Sequence, residues 1–351
     1  MQKKMRTAVF TKKGSVEVIE IDRPRMRGDQ VLIKMETCAI CTWDQRVYTG
    51  LNVVNYPFVG GHEMFATIEQ IGDEVTNEKL KVGDSVAVGL LATCGTCHYC
   101  NMGNHNLCSN FDYNKKVGGL PYSGTGGFSE YLVVSPKYLF KARTGLKKEL
   151  GAFTEPLSCV NRSVEYSGLE TTQTAVVIGA GTMGILHLLL LKSKGIEVIV
   201  SEPDDGKRKM AAELGAAGVI NPFEEDPVKR IKDFTDNRGA DGVFITSASP
   251  DVAEQVVRMA APLGTVVIYS SIYPKKMIRL DPNWVHKAMI KITGSANSNQ
   301  QDFEKSIKML SSGLIDPSPL VSFTFPFEKI DEAIQYTLDQ KKYRTILTFP
   351  S

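Results

Sequence analysis

Seven cysteines and five histidines are the side chains of this 351-residue protein best suited to hold a metal, and six of the cysteines fall in two groups with ligand-like spacing. Cys94-Gly-Thr-Cys97-His-Tyr-Cys100 is followed eight positions later by Cys108. The pattern C-x2-C-x2-C-x7-C lets one loop wrap four thiolates around a tetrahedral ion at Zn–S distances of about 2.3 Å. A four-sulfur shell is closed, so such an ion is structural. Two disulfides are the competing reading, and without a secretory signal they are the weaker one. His98 and His105 share the loop and read as surface residues, because four sulfurs already complete the shell.

Cys38-Ala-Ile-Cys41-Thr42-Trp-Asp44 and Gly60-Gly-His62-Glu63 supply thiols, an imidazole and a carboxylate, and Glu155-Pro-Leu-Ser158 adds a further carboxylate. Three such ligands and one open position make a catalytic zinc. Taken singly, Cys38 and Cys41 read as core thiols and His62 as a turn histidine; it is their combination that points to a metal.

Gly179-Ala-Gly181-Thr182-Met183-Gly184 carries a different chemistry. With 30 glycines in the chain, chance alone yields about 0.2 copies of this pattern, so its surroundings decide the matter. It follows the apolar run Thr174 to Ile178 and opens a helix through Leu186 to Lys192. In that setting the glycines allow a sharp turn and a close approach to a pyrophosphate, which the helix N-terminus binds. Thr182 and Met183 lie inside the same turn. Glu202 ends the next strand, where its carboxylate can accept both ribose hydroxyls and would repel a 2′-phosphate. NAD is therefore favoured over NADP. Lys207 and Arg208 follow closely enough to serve a phosphate, although both also fit the solvated start of a helix.

The elements that must position these groups differ along the chain. Residues 5 to 90 read as short strands broken by Gly, Pro and Asp: Met5 to Phe10, Val16 to Ile21, Val31 to Thr37, His62 to Ile71 and Ser85 to Val88. Strands resume at Gly127 to Val134 and Tyr138 to Lys141, which makes a mostly antiparallel barrel or sandwich with the cysteine lobe as an inserted loop. From Thr174 apolar runs alternate with helical segments, with strands at Thr174 to Gly179, Ile196 to Ser201, Ala217 to Ile220, Asp241 to Thr246, Thr265 to Ser270 and Ile290 to Gly294. Six such runs make a doubly wound parallel sheet in an α/β domain. Helices at Gln301 to Ser312 and Phe327 to Gln340, and a strand from Tyr343 to Phe349, follow it.

Composition excludes several functions. The net charge of +2, from 41 basic and 39 acidic residues, offers no field for nucleic acid. The longest apolar stretch, Ile185 to Leu191, is far short of the roughly 20 residues a bilayer requires, so no membrane partner is expected. No signal-peptide pattern follows the basic start, and cysteines available as ligands suit a reducing cytoplasm.

These motifs, in this order and along essentially the whole chain, resemble the zinc-dependent medium-chain dehydrogenase/reductase superfamily, and within it the polyol (sorbitol) dehydrogenase and L-threonine 3-dehydrogenase branch. The resemblance implies a GroES-like β-rich catalytic domain over residues 1–157 with its structural zinc lobe at 94–108, and a Rossmann domain over 158–294. It further implies a segment 295–351 that returns to the first domain, a cleft between domains, and a homo-oligomer, tetramer or dimer. By the same resemblance Cys41, His62 and Glu63 become catalytic zinc ligands, with Glu155 as alternate ligand or partner of the zinc-bound water. A neutral site, with one glutamate on the ion, leaves zinc acidic, so one carboxylate should yield to water or substrate. The implied reaction takes hydride from a zinc-activated secondary alcohol of a polyol or sugar derivative to NAD and leaves a ketone. A 3-hydroxy amino acid or simple secondary alcohol is the alternative substrate, and a nucleotide-binding sensor without chemistry the alternative class.

One segment departs from the family. Relatives carry Cys-Gly-Thr/Ser-Asp, whose hydroxyl passes the substrate proton outward, where this chain has Cys41-Thr42-Trp43-Asp44 and then Gln45-Arg46. Thr42, Tyr48 or ordered water must complete the relay, Trp43 becomes a substrate wall or a packing residue, and Arg46 a group for anionic or polyhydroxyl substrates.

Overall fold

The alternating and continuous apolar runs fold into three sheets in the computed structural model, which describes residues 3–91, 93–247, 255–272, 275, 277, 279–339 and 341–350. Contacts divide the chain into two units, Met1–Ser158 with Ser298–Ser351, and Cys159–Asn297.

In the first unit the strand Val31–Ile40 organises a seven-stranded sheet. One of its edges pairs antiparallel with Glu63–Ile71; the other is shared by Tyr131–Val134 and the C-terminal strand Arg344–Thr348. A four-stranded sheet built on Lys4–Lys12 lies in the same unit. Phe10, Phe58 and Phe128 are fully buried in one core with Ile33, Met35 and Ile40. The run expected from Gly127 to Val134 becomes a strand only at Tyr131. Its first residues are spent elsewhere: Gly127 and Phe128 donate their amides to the carbonyls of Gly61 (2.9 Å) and Gly60 (3.0 Å), clasping the turn that precedes His62. The helix expected from Phe327 to Gln340 is a 3₁₀ turn, Phe327–Lys329, and then the α-helix Ile330–Thr337; Gln340 lies outside the described residues.

The second unit is a six-stranded, all-parallel sheet. Its strands stand in the order Gly218–Ile220, Glu197–Ser201, Thr174–Ile178, Ala240–Ile245, Ala260–Ile268, Lys291–Gly294. In sequence terms this is the 3-2-1-4-5-6 arrangement of the Rossmann fold. The first strand, Thr174–Ile178, is buried along its whole length, as a strand covered on both faces must be. The strand expected at Thr265 starts earlier, at Ala260. Among the described residues no helix is long and apolar enough to cross a membrane.

The helix Thr182–Ser193 carries one polar core residue, His187, which is fully buried. Its Nδ1 lies 2.8 Å from the Met183 carbonyl and its Nε2 3.0 Å from Ser163 Oγ, so a neutral ring donates through one nitrogen and accepts through the other. Burial disfavours the imidazolium and brings the pKa from 6.5 down to about 4. The unfolded chain thus binds a proton that the native one rejects. His187 therefore leaves stability intact above about pH 6.5 and removes up to about 3 kcal/mol as the pH falls to 4. Denaturant titrations at pH 7 and pH 4 are expected to show that slope, and a His187→Gln variant a shallower one.

Candidate active site and metal centres

Cys41 is the extended N-cap (φ −82°, ψ 155°) of the helix Thr42–Thr49, which places its sulfur at the helix N-terminus. Asp44, with no exposed surface, ties this helix to the neighbouring turn. One of its oxygens accepts the Cys41 amide at 3.1 Å and the other accepts the Gly61 amide at 2.9 Å. The turn needs its glycines. Gly61 has φ +82°, and a Cβ there would stand 2.6 Å from the Phe128 ring and 2.9 Å from Cys38 Sγ. Asp44 also faces His62 Nδ1 at 3.7 Å.

The result is a cluster in which donor atoms of Cys41, His62 and Glu63 lie within 4.8 Å of one another. One thiolate, one imidazole and one carboxylate suit a divalent ion such as zinc. The local charge tells the same story. Burial opposes the charged imidazole of His62, yet Cys41, Asp44 and Glu155 together hold it well above its ordinary pKa. Glu63 is pushed up to about 7, by burial first and by Glu155 and Asp44 in addition, against the opposing pull of Arg344. Glu155, buried in the first turn of the helix Thr154–Ser167, stands outside the three-donor group but within its field. Cys38 is also outside it: its thiol is fully buried beneath Gly61, and burial raises its pKa well above the ordinary value.

Arg344 is the residue that the motifs did not reveal. Its guanidinium pairs with Glu63 at 2.9 Å, and both side chains are almost wholly buried. The signal was present in the sequence as a lone arginine opening the apolar run Thr345-Ile-Leu-Thr-Phe349, where a buried cation demands an anion. The relay candidates are separated. Thr42 is exposed on the first helical turn, whereas Tyr48 donates to Asp331 Oδ1 at 3.2 Å on the helix Ile330–Thr337. Trp43 lies against His62, ring centroids 5.9 Å apart. Arg46 is half-buried.

The second cluster brings together Cys94, Cys97, Cys100 and Cys108. Cys94 Sγ is 4.0 Å from Cys100 Sγ and 3.5 Å from Cys108 Sγ. The edge of a tetrahedron with 2.3 Å Zn–S bonds is about 3.8 Å, whereas a disulfide requires about 2.05 Å. Amides of Thr96 (3.5 Å) and Cys97 (3.3 Å) point at Cys94 Sγ and, with Asn110, bring its pKa down to about 5. Amides of Cys100 and Ser109 lower that of Cys97. Burial and its sulfur neighbours push Cys100 up to about 12. His98 is exposed with its ring edge-on to Tyr99, and His105 is half-buried.

At the nucleotide turn, Gly181 caps the helix Thr182–Ser193, and a Cβ on Gly181 would meet nothing within 4 Å. A Cβ on Gly184 would collide with the Gly179 carbonyl. One glycine leaves room for a ligand and the other permits close packing of helix on strand. Glu202 Oε2 accepts the Ala180 amide at 2.7 Å and Oε1 the Asp204 amide at 3.0 Å, which holds the carboxylate beside the turn. Arg208 donates to the carbonyls of Glu202 (2.7 Å) and Pro203 (2.6 Å) and pairs with Asp205. The Lys207 amide donates to Asp204 at 2.9 Å.

Residues 27–144 match the alcohol dehydrogenase GroES-like domain and residues 182–312 the zinc-binding dehydrogenase domain. The chain is 31% identical over 343 residues to an L-threonine 3-dehydrogenase of Pyrococcus horikoshii, covering 95% of this chain and 96% of the other. It therefore belongs to the zinc-dependent medium-chain dehydrogenases. This dehydrogenase is also 30% identical over 334 residues to a 2-dehydro-3-deoxy-L-galactonate 5-dehydrogenase of Pseudoalteromonas atlantica, covering 94% of each chain. A zinc-binding dehydrogenase of Sinorhizobium meliloti 1021 bound to NADP superposes with TM-score 0.90 at 25% identity, over 99% of this chain and 100% of that one. A short chain alcohol dehydrogenase of Escherichia coli CFT073 complexed with NADH does so with TM-score 0.87 at 27% identity, over 99% of each. As a member of this family the protein is an NAD(P) oxidoreductase with a GroES-like domain and a Rossmann-like parallel sheet.

Elemental analysis of the dehydrogenase is expected to find two zinc ions per chain, falling to one in Cys97→Ser and to one in Cys41→Ser, with the melting temperature lowered more in the former. Arg344→Met, which strands the buried Glu63 carboxylate, is expected to lose about 3–5 kcal/mol in denaturant unfolding.

Proposed function

We propose that this dehydrogenase interconverts a secondary alcohol of a polyol or sugar derivative and its ketone, with NAD preferred to NADP. The observation that carries this reading is the convergence of Cys41, His62 and Glu63 donor atoms within 4.8 Å, a three-ligand set that leaves a fourth position for substrate. Zinc held there supplies a Lewis acid for the substrate hydroxyl. Cys41 and Glu63 balance its charge, and Asp44 orients His62. Glu155, buried and close enough to influence His62 and Glu63, serves as alternate ligand or accepts from water at the fourth position. Cys94, Cys97, Cys100 and Cys108 hold the structural ion.

In the nucleotide site, Gly179, Gly181, Thr182, Met183 and Gly184 take the pyrophosphate and Glu202 the adenosine ribose. The preference for NAD is supported by the Glu202 carboxylate and by Arg208, whose guanidinium is already engaged by Glu202, Pro203 and Asp205. Lys207, half-buried in the first turn of the helix Asp205–Glu213, contacts the nucleotide's outer edge. L-Threonine is the second reading, supported by the 31% identity to an L-threonine 3-dehydrogenase.

Initial rates with sorbitol, xylitol and L-threonine, each with NAD and with NADP, test the proposal. Turnover of a polyol with NAD is expected, together with a loss of at least about a hundredfold in Cys41→Ser. A protein that binds NADH but oxidises no alcohol and reduces no ketone would be a sensor, and the proposal would fall.

A further inference from the structure

Glu202-Pro203-Asp204-Asp205-Gly206-Lys207-Arg208 follows the strand Glu197–Ser201 of the parallel sheet, and its three carboxylates have different occupations. Glu202, which is buried, accepts the amides of Ala180 (2.7 Å) and Asp204 (3.0 Å). Asp204 is the N-cap of the helix Asp205–Glu213 and accepts the Lys207 amide at 2.9 Å. Asp205 is 91% exposed, and it pairs with the Arg208 guanidinium. Arg208 is the better held of the two. Its side chain is 13% exposed, and its Nη1 donates to the carbonyls of Glu202 (2.7 Å) and Pro203 (2.6 Å). A guanidinium is a rigid fork, so fixing Nη1 on the backbone also fixes Nη2, which meets Asp205.

We propose that Arg208 is a preset ligand for a 2′-phosphate and that Asp205 keeps it out of use, which makes Asp205 a second determinant of cofactor choice beside Glu202. The inference rests on the NAD reading above and deepens it. The carboxylate that takes the ribose hydroxyls and a carbonyl that anchors Arg208 belong to one residue, Glu202, so a phosphate on the 2′-oxygen would arrive beside the guanidinium. Such a phosphate carries nearly two negative charges at neutral pH, and a guanidinium fork matches its oxygens. Asp205 spoils that match in two ways: it occupies Nη2, and it cancels the charge of the cation. The strength of the pair matters little, since exposed pairs contribute almost nothing to stability. What matters is the charge that an incoming phosphate meets. With Glu202 neutralised, the phosphate still meets a guanidinium cancelled by Asp205; with Asp205 neutralised, Glu202 still repels it. Each carboxylate therefore hides the effect of removing the other.

Adenosine 2′,5′-bisphosphate and 5′-AMP differ only in the 2′-phosphate, and calorimetric titration of the zinc-loaded protein with each reads that group without turnover. Wild type is expected to bind 5′-AMP the more tightly. Glu202→Gln and Asp205→Asn, both nearly isosteric, are each expected to shift the affinity ratio towards the bisphosphate by less than about tenfold, and the double variant by at least about tenfold beyond the product of the two. Arg208→Gln in the double variant removes the charge but keeps an amide for the carbonyls, and it is expected to take that extra factor away. If it does not fold by circular dichroism, Arg208→Lys, which keeps the charge without the fork, replaces it and is expected to remove most of the factor. The proposal is overturned if the extra factor survives the loss of the guanidinium. A wild type that prefers the bisphosphate overturns the NAD reading and the proposal with it. Single effects that merely multiply, in a protein that prefers 5′-AMP, overturn the proposal alone.

Discussion

One buried carboxylate holds the cluster of Cys41, His62 and Glu63 together. Asp44 sits in the first turn of a helix, yet its oxygens bond an amide on each of two segments, Cys41 of the helix cap and Gly61 of the glycine turn, and it also faces His62. A fully buried anion is tolerated only when its oxygens are bonded, so the two segments cannot separate without exposing an unsatisfied charge. That requirement brings residues 41 and 62 together. The glycine turn is clasped from its other side by the amides of Gly127 and Phe128, so the strand expected there starts late.

The surroundings of the cluster are unusually anionic for a protein core. Cys41, Asp44, Glu63 and Glu155 converge on it, and Arg344 is the cation that pairs with one of them. Buried charges of one sign repel strongly where the dielectric is low. The excess raises the proton affinity of His62 and Glu63, and a divalent ion would discharge the same excess. Such an ion, bound to the native state alone, would stabilise this region.

Fold and site were legible to different degrees. The six parallel strands were recognisable because each is a continuous apolar run bounded by Gly or a charge, and they stand within a few residues of where the pattern put them. Ala260 to Gly264 does not read as the start of a strand because two alanines, a proline and a glycine around the single Leu263 carry almost no β signal. The segment at 327 was read as one helix because its periodicity continues through a 3₁₀ turn that the pattern does not distinguish from an α-turn.

By itself the sequence determined whatever depends on local spacing. Four cysteines within fifteen residues can reach one another whatever the rest of the chain does, and a glycine turn between an apolar strand and a helix creates its anion site from its own backbone. Tertiary structure alone decided which of two neighbouring thiols faces the ligand set: Cys41 caps a helix with its sulfur toward His62, while Cys38 is buried under Gly61. It also decided that Tyr48 turns to Asp331, that Arg344 answers Glu63 across 281 positions of chain, and that Trp43 packs at a tilt against Tyr113. Those pairings join segments distant in sequence, and the free energy that selects them, burial of rings and neutralisation of buried charge, exists only once the chain has closed around them.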